Sequence, residues 1–346
     1  MPILVFSREP AAYPRYRFMK QTRREFVRVL FVATQAAVVG RLLPDSLQAA
    51  EFADTKASGL NFLVFGDWGR RGEPDQIEVA TQMGIAANAI KAQFVISVGD
   101  NFYEDGVAST DDPQWQASFE DVYHAHSLQA PWYVALGNHD YRGNCDAQIA
   151  YSHLSQRWNM PARYFTLTRQ IDPDTSADFF FLDTTPMVRS YWHEPGYREH
   201  VRTQDVPKQL AWFKSALAAS TASWKIVIGH HPIYSGGGIL GHGDTVELIK
   251  DVLPLLKQYQ VQAYFNGHDH NLQHLQVESV NLFDSGAGSR ARPVFKTGYT
   301  KFAEACSGFA TVSLQADNMK VRLIDWRGRM LYTANIPRAT AEPVHA

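Results

Sequence analysis

The apolar positions of this chain fall into short continuous runs separated by longer stretches of helical period. Phe94-Val95-Ile96-Ser97-Val98 is too short for a buried helix and has no polar face, so it predicts a strand covered on both sides. Four further runs read the same way: Phe62-Leu63-Val64-Phe65, Tyr133-Val134-Ala135-Leu136, Ile226-Val227-Ile228 and Ala263-Tyr264-Phe265. Between them, helical spacing predicts helices over 74–91, with Pro74 in the first turn, over 147–157, 207–219 and 245–259. Another starts near Asp112-Pro113 and carries Trp115, Phe119 and Val122. The pattern then changes. Strand-like runs at 164–168 and 179–182 flank the turn signal Asp172-Pro173-Asp174, which predicts antiparallel pairing. Residues 186–206 are irregular and rich in Tyr, Trp, His and Arg. The tail predicts strands at 272–277, 280–283 and 309–314, then a pair at 321–324 and 330–333. No linker or repeat divides the sequence. It reads as a single α/β domain over 54–346, with two packed β-sheets flanked by helices.

A chain of 346 residues with 45% hydrophobic and 12% aromatic content is globular rather than disordered. Its net charge of -2 gives no general attraction to nucleic acid or anionic membrane, so any charged substrate must be recognised locally. Cys145 and Cys306 lie far apart, form no metal-binding spacing, and are read as unpaired thiols.

The amino-terminal stretch, residues 1–53, is set apart from the domain. Thr22-Arg23-Arg24-Glu25-Phe26-Val27 precedes an apolar run over 29–39, and Ala49-Ala50 stands before the polar Glu51. Arg28, Gln35 and Arg41 break up the run, which is too short for a stable membrane anchor. The stretch resembles a bacterial twin-arginine export signal, implying the twin-arginine machinery as a partner and a periplasmic or secreted product.

Each predicted strand hands a potential metal ligand to its carboxyl end, where open α/β sheets collect their ligands. The runs lead into Asp67, into Asp100 and Tyr103, into Asn138, into His230, and into His268 and His270. These donors are too many for one ion and about right for two, with a carboxylate bridging. A phenol has a pKa near ~10 and ligates at neutral pH only beside a strong Lewis acid, which points to ferric iron. Asn138 and two histidines suit a divalent ion: ferrous iron, zinc or manganese.

At these positions the sequence resembles the purple acid phosphatases of the calcineurin-like metallophosphoesterases. Five blocks carry the resemblance, in order: Gly66-Asp67-Trp68-Gly69, Gly99-Asp100-Asn101-Phe102-Tyr103, Gly137-Asn138-His139-Asp140, Val227-Ile228-Gly229-His230 and Gly267-His268-Asp269-His270. The resemblance implies a four-layer α/β/β/α sandwich. It also implies ferric iron on Asp67, Asp100, Tyr103 and His270, and a divalent metal on Asp100, Asn138, His230 and His268. His139 matches a histidine that contacts substrate phosphate, and His242 in Gly241-His242-Gly243-Asp244 matches the proton donor to the leaving group. The activity implied is hydrolysis of phosphate monoesters, small molecules or phosphoproteins, at acid pH, with a hydroxide on the two cations as nucleophile. Two other functions fit the ligand types less well: a metallophosphodiesterase or nucleotide hydrolase with two divalent ions, and a non-catalytic phosphate-binding or iron-handling protein. Among the remaining candidates, Tyr191, Trp192 and Tyr197 could form a substrate rim. Asp183 reads as structural; Arg290 and Arg292, after Ser285-Gly286-Ala287-Gly288, could meet a phosphate but read better as a solvated loop.

Overall fold

Alternate residues of each predicted strand belong to different cores, which is how the layers are built. The computed structural model describes residues 59–238 and 242–338; the leader expected over 1–53 lies outside them. In chain order the strands are β1 (Leu60–Phe65), β2 (Phe94–Ser97), β3 (Trp132–Val134), β4 (Trp158–Asn159), β5 (Phe165–Asp172), β6 (Thr175–Phe181) and β7 (Trp224–Ile228). There follow β8 (Ala263–Asn266), β9 (Leu272–Val277), β10 (Val280–Ser285), β11 (Thr300–Glu304), β12 (Gly308–Leu314), β13 (Asn318–Asp325) and β14 (Met330–Pro337). The helices are α1 (Gln76–Ile90), α2 (Cys145–Tyr151), α3 (Arg198–Val201), α4 (Val206–Ala219), α5 (Val246–Asp251) and α6 (Leu253–Gln258).

These strands form two seven-stranded sheets, ordered β14-β13-β12-β1-β2-β3-β4 and β11-β9-β10-β8-β7-β6-β5. Strands β1 to β4 run parallel, with β12 antiparallel beside β1. In the second sheet β6, β7, β8 and β10 are parallel, and β5 pairs antiparallel with β6. Phe62 and Val64 face the second sheet and pack with Phe179, Ile226 and Phe265, whereas Leu63 and Phe65 face α1 through Val79 and Met83. On the outer face of the second sheet, Phe180, Val227 and Tyr264 meet Phe213 of α4, Leu248 of α5 and Leu256 of α6. Both sheets are thus covered on each face, giving the expected α/β/β/α order.

The aromatic residues under the first sheet also support the loops above it. Trp68, Trp132, Trp158 and Phe119 pack mostly edge-to-face and are fully buried. The Trp68 indole donates to Ser97 Oγ at 2.9 Å, and Ser97 Oγ donates to Asn101 Oδ1 at 2.6 Å. The aromatic core is therefore bonded directly to the loop after β2.

The elements differ from the pattern in several places. The helix expected over 245–259 is two helices: Pro254 lacks an N–H and its ring would clash with the carbonyl four residues back, so the chain breaks between α5 and α6. The stretch after Asp112 makes a single wide π-helical turn, Trp115–Glu120, around the buried Trp115 and Phe119. Helix α2 starts earlier than expected, because the Asn144 side chain accepts the N–H groups of Asp146 and Ala147. It ends at Tyr151, since Trp158 joins the first sheet as β4. Strand β11 is half-exposed and lay in no apolar run. Cys145 and Cys306 are both free, as expected. No helix among the described residues is long and apolar enough to cross a membrane.

Candidate metal centre

The backbone leaves β1, β2 and β8 by an uncommon route. Asp67, Asp100 and His268 have φ of 60°, 49° and 73°, left-handed values that cost a non-glycine residue free energy and concentrate at functional sites. The sharp turn aims each side chain across the strand ends instead of along them. Glycines make room for this approach. A Cβ on Gly137 would lie 2.2 Å from Asp100 Oδ1, and one on Gly267 would lie 2.3 Å from Asp67 Oδ2. The glycines before Asn138 and His268 are thus a steric requirement of the site.

The seven residues predicted from sequence meet in two groups sharing one carboxylate. In the first, Tyr103 Oη lies 2.9 Å from Asp67 Oδ1, 2.9 Å from Asp100 Oδ2 and 3.2 Å from His270 Nε2. His270 Nε2 is also 3.3 Å from Asp67 Oδ1. In the second, His230 Nε2 lies 3.2 Å from Asn138 Oδ1, 3.2 Å from His268 Nδ1 and 3.4 Å from Asp100 Oδ2. All seven are buried.

The donor chemistry of both groups fits cations. His230 Nδ1 faces the Val98 carbonyl at 3.0 Å, so it carries a proton, and Nε2 turns towards the carboxylate and amide oxygens. Burial opposes a charged ring at His230, yet the Asp100 and Asp67 carboxylates lift its pKa to about 9, so this point favours positive charge. Asp100 resists the same burial because His230 and His139 hold its carboxyl below the ordinary range. Burial and the charges of Asp100 and Asp67 push the Tyr103 phenol well up, so it ionises only with positive charge beside it. His268 is kept neutral by burial and by the neighbouring His231, His242 and His230, which is the form that ligates a metal.

A third set of side chains holds these ligands. Asp140 accepts N–H groups from Gly137 at 2.8 Å, from Asn101 at 3.1 Å and from Gln148 Nε2 at 2.8 Å, joining the loops after β2 and β3. Asp269 accepts the His242 backbone N–H at 2.8 Å and the Ser235 hydroxyl. Arg70 lies over the Tyr103 ring, 3.5 Å from its centroid, and pairs with Glu104 at 2.6 Å. Asp183 has the structural place expected, receiving the Tyr141 hydroxyl at 2.5 Å.

Above the two groups opens a cavity of about 500 Å³. His139 and His242 both line it, as do Tyr191 and Tyr197 of the predicted rim. Trp192 does not: its indole donates to the Pro186 carbonyl and it lines a separate cavity. Arg292 corrects the expectation of a solvated loop. It is half-buried on the cavity wall, with Nη1 2.8 Å from His242 Nε2, while Arg290 is exposed. Burial and the Arg292 charge lower the His242 pKa to about 4, so this ring stays neutral down to strongly acid pH. Arg142, which the sequence did not single out, donates from Nε to Tyr197 Oη at 2.6 Å. Arg142 ends a short 3-10 turn and Arg292 sits in an irregular segment, and neither has a periodicity to mark it.

Two mixed sheets with a buried pair of oxygen- and nitrogen-donor sites at their strand ends define a dinuclear metallophosphoesterase. The chain belongs to the calcineurin-like phosphoesterase family, whose model matches residues 60–272. Within that family it is a purple acid phosphatase, a hydrolase of phosphate monoesters with a dinuclear metal centre. It is 41% identical over 288 residues to purple acid phosphatase 3 of Arabidopsis thaliana, covering 79% of this chain and 76% of the relative. To human tartrate-resistant acid phosphatase type 5 it is 37% identical over 320 residues, covering 86% and 97%. The fold is similar to that of purple acid phosphatase PPD1 from yellow lupin, with a TM-score of 0.61 and 16% identity over 82% of this chain and 54% of that one. It is also similar to a structure described as GAP50, the anchor in the inner membrane complex of Plasmodium, with a TM-score of 0.72, 26% identity, and 82% and 90% coverage.

Proposed function

We propose that the centre is a ferric–divalent pair, with ferric iron on Asp67, Asp100, Tyr103 and His270. The divalent ion, ferrous iron, zinc or manganese, would be held by Asp100, Asn138, His230 and His268. One observation carries this reading: a buried phenol oxygen lies within 3.2 Å of two carboxylates and an imidazole nitrogen. Ferric iron is the ion that stabilises a tyrosinate there. When bound, the two cations supply Lewis acidity, neutralising phosphate charge and acidifying a water.

The chain's own residues do the rest. Asp100 fixes the spacing of the two positions, because its Oδ2 belongs to both groups. His139 is oriented through Nδ1 by the Glu104 carbonyl, leaving its other nitrogen to hydrogen-bond a substrate phosphate oxygen. His242 and Arg292 form the opposite wall. With Nε2 accepting from a guanidinium, His242 acts as a polar positioning group in the free enzyme, and it could donate a proton to a leaving alcohol only after substrate separates that pair.

Metal analysis combined with pH–rate profiles on an aryl phosphate monoester and a phosphodiester tests the reading. One iron and one divalent metal per chain, with the monoester preferred under acid conditions, is the expected result. Two divalent ions with the diester preferred would replace it by the phosphodiesterase reading. The twin-arginine pattern supports export to the periplasm or beyond. Changing Arg23 and Arg24 to lysine should keep the protein in the cytoplasm, and unchanged export would remove that assignment.

A further inference from the structure

We propose that Arg292 is a specificity-determining residue, selecting phosphate monoesters whose alcohol carries a second anionic group close to the ester oxygen. A carboxylate or another phosphate would serve. The inference rests on the phosphomonoesterase reading above and adds which esters the cavity prefers.

Arg292 is held in place from several directions. Its backbone N–H donates to the carbonyl of His270 at 2.6 Å, anchoring it beside a proposed ferric ligand. Its guanidinium meets His242 at 2.8 Å, and that ring stacks on His268 with 3.9 Å between centroids. The His242 backbone is fixed in turn by Asp269. In the free enzyme a guanidinium so placed is already turned towards the cavity.

Its electrostatic position differs from that of the other cations near the site. Arg70 is paired with Glu104 at 2.6 Å. Arg142 donates to Tyr197 at 2.6 Å and lies 3.8 Å from Asp105 Oδ1. Among the described residues, no carboxylate comes within ion-pair distance of Arg292, and its side-chain partner is the His242 ring. One N–H is used, and the planar fork keeps others of the five that an arginine offers. A half-buried guanidinium with such a partner is matched by a carboxylate or phosphate, which accept two of its N–H groups at once.

The rest of the cavity agrees. At about 500 Å³ it holds more than a phosphate group, and no aliphatic side chain lines it. Tyr191 and Tyr197 supply its apolar faces, and Glu104 and Glu194 place carboxylates on its wall, so an anionic alcohol is held only where it reaches Arg292. The scissile phosphate is served by the two cations and His139, which leaves Arg292 for the other part of the substrate.

Ethyl phosphate and phosphoglycolate test this directly, because a carboxylate on the alcohol side of one stands where the other has a methyl group. In the metal-loaded wild type, kcat/KM should favour phosphoglycolate. Arg292→Gln should lower the phosphoglycolate-to-ethyl-phosphate ratio about tenfold, the order expected for a lost charge-assisted hydrogen bond, with the change mainly in KM. Arg292→Lys should fall between. Calorimetric titration with phosphonoacetate and ethylphosphonate, which are not hydrolysed, should show the same loss of discrimination. The visible absorption of each variant reports whether the centre is intact. A ratio unchanged in Arg292→Gln, whether both substrates weaken together or neither does, overturns the proposal and leaves the phosphomonoesterase reading standing. No turnover of either ester by the metal-loaded wild type removes both.

Discussion

Asp140 joins two ligand-bearing loops, so Asp140→Asn should weaken stability and metal binding together. The side chain is fully buried, and its hydrogen-bond partners through both oxygens are N–H groups. Oδ2 takes Gly137 N at 2.8 Å and Asn101 Nδ2 at 3.2 Å; Oδ1 takes Gln148 Nε2 at 2.8 Å; the Asn101 backbone N is 3.1 Å from each. An asparagine keeps one acceptor oxygen and turns the other into a donor. Whichever way the amide lies, a buried N–H then faces another N–H. Above about pH 7, where the carboxyl is ionised despite burial and the Asp100 charge, losing one charge-assisted bond costs about 1.5–3 kcal/mol, and the donor left without a partner costs about 1–3 kcal/mol. A total of about 2.5–6 kcal/mol is a large share of the about 5–15 kcal/mol that holds a folded domain. Urea unfolding of the metal-free protein should show a clearly lower midpoint. Metal affinity should fall by about 10–100-fold, as it does when groups that orient ligands are changed. A variant that unfolds at the wild-type urea concentration and binds both metals equally tightly would refute the reasoning.

Asp183 gives a prediction about pH. Burial raises its pKa from 3.8 to about 7, against the opposing pull of Arg163 and the Tyr141 hydroxyl, and its Oδ1 has no partner. A carboxyl raised on folding holds its proton in the native state longer than in the unfolded chain. Its contribution is therefore complete below about pH 4 and lost as pH rises through about 7, on the order of 4 kcal/mol. Wild-type stability measured relative to Asp183→Asn should fall between those pH values, and parallel curves would show that Asp183 is ionised throughout. Asp100→Asn should lose both metals, since Oδ2 faces both groups, whereas Asn138→Ala should lose chiefly the divalent ion; elemental analysis showing one metal retained at full occupancy in Asp100→Asn would exclude a shared carboxylate.

The ligands were legible in the sequence because each lies two to five residues beyond the end of an apolar run that forms a strand. Local pattern therefore located Asp67, Asp100, Tyr103, Asn138, His230, His268 and His270 without knowledge of the fold. Residues that act through tertiary contact were harder to see. Asp140 stands within a recognised block, but its partners Asn101 and Gln148 come from other elements. Arg292 and Arg142 reach the cavity from segments whose course is set by hydrogen bonds such as Arg292 N to the His270 carbonyl. Apolar spacing carries no record of such a bond. The misjudged helices have local causes. Pro254 interrupts a helical period that the apolar residues alone continue, and the buried Trp158 opens a strand directly after the stretch 147–157 whose spacing suited a helix.

The central claim is that Tyr103 places ferric iron at the shared carboxylate. Its most direct test is the visible spectrum of the metal-replete protein, recorded with iron content for wild type and Tyr103→Phe. A broad tyrosinate-to-iron band that disappears in Tyr103→Phe is the predicted result. A colourless wild-type protein with both metal positions filled, or a band that survives the substitution, would contradict it.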